Sequence, residues 1–167
     1  DLAVMYEDRA DAYNAAGNET LAEEMDSRAF ETYKLLLRLE PPFPSAYFNA
    51  AFFFLRRRNY ERAKSLFDTY IKIGDAKSSL VEESEGSIVD LAFDLYEGGD
   101  DSALREIESR LDHPNKVIRY YAAYKLSLVS DKKEAAKAAP VLSRIVESEK
   151  DPELLDRARI ALLRVSP

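Results

Sequence analysis

The first residue to test for chemistry is His113, the one histidine in the chain. An imidazole titrates near neutral pH and can act as a general base or a metal ligand. His113 stands between Asp112 and Pro114, in a turn that opens a helical stretch. Either role there needs carboxylates converging from distant segments. The local sequence supplies none in a suitable pattern, so His113 reads as a turn residue. The cluster Glu97, Gly98, Gly99, Asp100, Asp101 is oxygen-rich, but it lacks the alternating ligands and closing Glu of a calcium loop. Its glycines read as the end of one helix and its aspartates as the start of the next. Glu82, Glu83 and Glu85 fall in a stretch, 75–85, that reads as a polar connection. That leaves them without the fixed pairing that carboxylate acid–base work requires. Arg56, Arg57 and Arg58 form the one basic run, at the end of a helical pattern where cations favour the helix dipole; anion binding is the second reading. There is no Cys, so thiol chemistry, disulfides and thiolate-bound zinc are excluded. No phosphate-cradling Gly loop, nucleophile elbow or His-Glu metal motif occurs. The expectation is a protein that is not an enzyme, with no catalytic residue, no metal and no cofactor.

The bulk properties fit a binding protein. The chain has 167 residues, 46% apolar and 33% charged, enough to bury a core without a covalent or metal staple. A net charge of −7 disfavours general nucleic-acid binding. The charge comes in blocks of −6, +4, −9 and +4 over residues 1–40, 41–77, 78–115 and 116–167. The richest apolar run, Ala50 to Leu55, is far shorter than the roughly 18 residues of a membrane helix. The sequence starts at Asp1 without Met or a signal segment, as a trimmed or processed chain does, and export is one reading of that start.

Helical periodicity runs through the chain, and no stretch alternates with period two. Helices are expected over about 2–16, 19–39, 45–58 (with Ser45 as N-cap), 60–73, 87–97, 100–111, 114–129, 138–148 and 152–165. Gly17, Gly74 and Gly98-Gly99 stop three of them, and Pro41, Pro42 and Pro44 forbid continuation of the second. The fold class is all-α, a solenoid of antiparallel helix pairs.

The pairs repeat. Ala29 and Tyr33 recur 34 residues later as Ala63 and Phe67, and Leu37 and Leu39 as Ile71 and Ile73; Ala103 and Ile107 give a weaker echo. With Tyr47, Ala50, Ala51 and Phe54 ahead of Ala63 and Phe67, residues 44–77 resemble a tetratricopeptide repeat, with Arg58 where that family usually has Gly. From 112 the pattern changes. Pro114, Val117, Arg119 and Ala123 are echoed 38 residues on by Pro152, Leu155, Arg157 and Ala161. An Asp-Pro turn followed by an aliphatic residue, an Arg and an Ala resembles HEAT-like repeats. Tetratricopeptide-like repeats are therefore expected over 1–111 and HEAT-like repeats over 112–167, stacked continuously.

The resemblance implies a superhelix whose concave groove is lined by Phe48, Phe52 and Leu55 from one helix and Val89, Phe93 and Tyr96 from another. Glu7, Asp8 and Asp11 would make one end acidic, and Asn49 flanks the face. Some members of that family clamp a peptide's terminal carboxylate with such an Asn plus Lys and Arg. Here Glu7, Asp8 and Asp90 would repel it, so that clamp is not expected. The expected partner is a protein or peptide with apolar anchors and basic flanks, held by a non-catalytic scaffold. Ile160, Ala161, Leu162 and Leu163 add a sticky face on the last helix, suited to self-association. Tyr120, Tyr121 and Tyr124 read as core. The alternative is a structural segment of a larger helical-repeat assembly with no ligand of its own.

Overall fold

A computed structural model describes residues 1–75 and 78–166, and among them every regular element is helical. The chain divides into two compact units, Asp1–Ala76 and Lys77–Pro167. The change of repeat character expected after residue 111 falls inside the second unit, so it does not separate two bodies.

The first unit is two helical hairpins. Helix α1, Leu2–Ala15, starts where the Asp1 side chain accepts the Ala3 N–H at 3.0 Å. It stops at Gly17, whose φ of +73° lets the Asn18 N–H turn back to the Tyr13 carbonyl at 2.9 Å. Asn18 then caps α2, Glu19–Leu36. Helix α3 spans Pro44–Arg56, one residue earlier than expected. Pro44 takes the first turn, where a missing N–H costs little, and Phe43 rather than Ser45 holds the cap position. Asn59 caps α4, Tyr60–Ile73. Helix α1 packs on α2 and α3 on α4. Ala3, Ala10, Ala22 and Ala29 are buried in the first hairpin, and Ala46, Ala50, Ala51 and Ala63 in the second. Small side chains bring the helix axes close. Tyr33, Phe53 and Phe67 then fill the remaining space, each contributing about 1.5–3 kcal/mol of burial.

The second unit opens with α5, Ser79–Glu97, capped by Ser78. This is the main departure from expectation: residues 79–85 are helix, not connection. A 3-10 turn at Asp101–Ala103 leads into the short α6, Leu104–Glu108. Helix α7 is Lys116–Leu126, capped by Asn115. Helix α8, Lys132–Ala135, and a 3-10 turn lead to α9, Ala139–Ser148, with Pro140 in its first turn. Asp151 caps α10, Pro152–Val165. Helix α7 packs on α5, α6 and α9, and α9 packs on α10. The core joins Val89 and Ala92 of α5 to Ile107, Ala122, Ala123, Leu126, Leu142, Ala158 and Ala161.

One ion pair is buried in this unit. Glu85 of α5 accepts from Arg110 Nε at 2.6 Å, and Arg110 also reaches the carbonyl and carboxylate of Glu106. A lone buried charge is expensive, so each of these groups depends on the other.

Candidate functional site

The expected groove residues fall in both units, and each group is described within its own. In the first unit Phe48 and Phe52 are half-buried. Their rings meet at 5.0 Å, and α4 covers one side of both: Phe48 lies 5.4 Å from Tyr70 and Phe52 lies 5.1 Å from Phe67. Leu55 is half-buried as well. The ring that α3 buries fully is Phe53, which packs on Tyr33 at 5.2 Å under the Arg57 guanidinium. Asn49 donates to the Asp1 carboxylate at 3.2 Å, so its amide already has a partner. Asp11 is exposed.

Glu7 corrects the expected groove. It is buried, not groove-facing: the Tyr33 hydroxyl donates to one carboxylate oxygen and Arg56 pairs with the other. Burial pushes the Tyr33 hydroxyl up to about 12, so it remains a proton donor. Glu7 therefore ties α1 to α2 and α3 and is not available to a ligand.

In the second unit Val89 is likewise corrected: it is completely buried. Helix α7 lies against that side of α5, and the Tyr121 hydroxyl donates to Asp90 at 2.6 Å across the contact. Lys125 also pairs with Asp90, so this carboxylate is engaged. Phe93 and Tyr96 are half-buried on the edge of the same core, with Lys125 5.0 Å from the Phe93 ring. Tyr120 is buried and Tyr121 and Tyr124 are partly so, in agreement with the core reading.

His113 and Asp100 lie in turns as the sequence implies, but a carboxylate from a distant segment does reach His113: Glu85 Oε1 lies 3.6 Å from its Nε2. His113 Nδ1 accepts the Asn115 N–H at 3.1 Å at the head of α7. Asp100 caps the turn after Gly99. Among the described residues no group of three or more metal-ligating side chains converges. No described helix is long and apolar enough to cross a membrane.

The second unit also holds an apolar cavity that the sequence reading did not place. A cavity of about 420 Å³ opens between the first half of α5, α7 and the start of α10. Val117, Ile118, Tyr120, Tyr121 and Leu154 form its apolar walls, while Glu82, Glu83 and Arg157 stand among its polar lining. Val117 is 40% exposed. Gly86 presents no side chain to the Tyr121 ring, which leaves that ring edge open; a methyl there would sit 3.8 Å from it. Burial and Asp90 raise the Tyr121 hydroxyl, so its ring is a neutral wall fixed at the far end. Glu82 is held by Asn115 at 3.0 Å and Arg157 pairs with Glu153. Glu83 is exposed and has no ion pair among the described residues. The cavity has the size and apolar lining of a small-ligand or side-chain pocket.

Sequence reading missed this cavity: none of its lining residues was among the expected groove residues, Tyr120 and Tyr121 read as core, and Ser79, Glu82 and Glu83 were placed in a connection. The signal was present: Ser78 can cap, and Leu80, Val81, Ser84 and Ile88 keep helical spacing. Of the α10 residues expected to self-associate, Ile160 and Leu163 are open, 56% and 78% exposed, whereas Ala161 is completely buried and Leu162 packs partly on the core.

No family model matches the chain, and no significant match to it is found among curated proteins or solved structures.

Proposed function

We propose that the chain is a non-catalytic protein-binding module that holds a peptide or helix with apolar anchors and basic flanks. The reading rests on the cavity between α5, α7 and α10, whose walls are apolar and whose rim carries Glu82 and Glu83. An apolar anchor entering beside Val117 and Tyr121 gains burial. A cationic flank then meets the unpaired Glu83, which adds on-rate and selectivity more than affinity. The tetratricopeptide-like and HEAT-like repeat pattern supports the same reading, since stacked helix pairs commonly present binding surfaces.

The test is fluorescence anisotropy with labelled peptides that carry leucine or phenylalanine anchors between lysine or arginine flanks. Val117→Asp puts a charge on the cavity wall at an exposed position in the first turn of α7, where an acid suits the helix dipole. It should weaken peptide binding about tenfold or more while leaving stability within about 0.5 kcal/mol. Unchanged binding in a folded Val117→Asp protein would remove the cavity from the account.

A further inference from the structure

A second cavity, in the first unit, has the opposite electrostatic character. It occupies about 460 Å³ between the C-terminal half of α2, α3 and the first turn of α4. Phe30 and Phe54 form aromatic walls, their rings 6.0 Å apart and nearly perpendicular. Three cations line it: Lys34, Arg38 and Arg62. Lys34 sits 5.3 Å from the Phe30 ring and Arg62 5.9 Å from the Phe54 ring, so both heads are held beside the walls.

Its lining contains no carboxylate. Lys34 pairs with Glu31 at 2.9 Å, but Arg38 and Arg62 have no ion pair among the described residues. The Tyr33 hydroxyl, at the back, is committed to Glu7. What the cavity offers is two uncompensated guanidiniums beside two rings. Guanidiniums bind carboxylates through paired, charge-assisted hydrogen bonds.

We infer that this cavity docks a short acidic peptide segment, with carboxylates on Arg38 and Arg62 and an aromatic or aliphatic side chain against Phe30 and Phe54. Nucleic acid fits less well. Residues 1–40 carry a net −6, so a long polyanion leaving the cavity meets like charge. This site lies in a different unit from the α5–α7–α10 cavity and takes ligands of opposite charge, so either site can fail without the other.

The probe is a short fluorescein-labelled peptide with aspartate and glutamate on both sides of a central phenylalanine. It should bind the whole chain, weaken as salt rises, and lose about tenfold or more when the carboxylates become amides. The Arg38→Glu, Arg62→Glu double variant changes two exposed residues and should lose binding to at least the same degree, with an unchanged circular dichroism spectrum. The Arg38→Lys, Arg62→Lys variant should retain most of it, which separates charge from fold. Equal binding by the charge-reversed protein overturns the inference. So does absence of binding at millimolar peptide, or tighter binding of a single-stranded oligonucleotide than of the peptide.

Discussion

Arg58 holds a backbone conformation that its side chain disfavours. Its φ is +57°, in the left-handed region, at the end of α3. The geometry is required there: the Arg58 N–H bonds to the Leu55 carbonyl at 2.9 Å and the Asn59 N–H to the Phe54 carbonyl at 3.0 Å, closing the helix. A residue with a Cβ loses roughly 1–2 kcal/mol in this region. Glycine avoids that loss but gives back part of it through a freer unfolded chain. Arg58→Gly should therefore raise stability by about 0.5–1 kcal/mol, read as a higher urea midpoint with an unchanged slope; a lower midpoint would contradict the strain argument. Residues at this scale were partly legible. Ala29, Tyr33, Ala63, Phe67, Ala103 and Ile107, picked out by spacing alone, are all buried. Leu39 and Ile73, picked out the same way, are exposed because both helices have ended or are ending there. Glu7 and Val89 were misplaced because their surroundings come from residues remote in sequence, Tyr33 and Arg56 for one and the α7 core for the other.

Helices were the most legible elements, and α4 and α10 match the expected bounds. Helix α5 does not, for an identifiable reason. Its first two turns carry Glu82, Glu83 and Glu85, and a charged residue at a core position reads as loop. Glu85 is tolerated inside because Arg110, 25 residues away, neutralises it; no local pattern shows that. The proposed HEAT-like echo is similarly partial. Ala123 and Ala161 are both completely buried, but Arg119 clasps the carbonyls of His113 and Pro114 while its counterpart Arg157 pairs with Glu153. The junction between α9 and α10 is built on Glu149. One of its oxygens accepts the N–H groups of Lys150 and Asp151, and the other accepts from Lys116 at the head of α7. The Asp151 and Lys150 N–H groups and then Lys116 hold this carboxyl at about 2, below its ordinary 4.5. A lowered carboxyl leaves the unfolded chain binding more protons, so its stabilisation is complete above about pH 4.5 and is lost as pH falls toward 2. Glu149→Gln should unfold at lower urea than the parent near neutral pH, and that difference should shrink steadily on acidification. A difference that stays constant with pH would show that the charge on Glu149 is not what joins these helices.

At the scale of the whole molecule, charge is distributed so that two cavities of opposite sign sit in an acidic chain. The −9 block over residues 78–115 supplies Glu82 and Glu83 to one cavity, and the +4 block over 41–77 supplies Arg62 to the other. The sequence correctly implied an all-helical architecture among the described residues, with helices packed in pairs; the apolar groove it placed on α3 and α5 shares no residue with the cavity at α5, α7 and α10. It located that groove on α3 and α5 because those helices carry surplus rings. Phe48 and Phe52 pack on each other and on α4, Phe93 and Tyr96 stay half-buried at the edge of the second core, and packing between helices distant in sequence leaves a separate opening at α5, α7 and α10. The most direct measurement of the central claim is amide-resolved NMR during titration with a peptide of apolar anchors and basic flanks. Shifts should concentrate at Gly86, Val117, Ile118 and Leu154, with the amides of α1 and α2 unmoved. Saturable binding with shifts centred on Phe48 and Phe52, or no shifts at all, would contradict it.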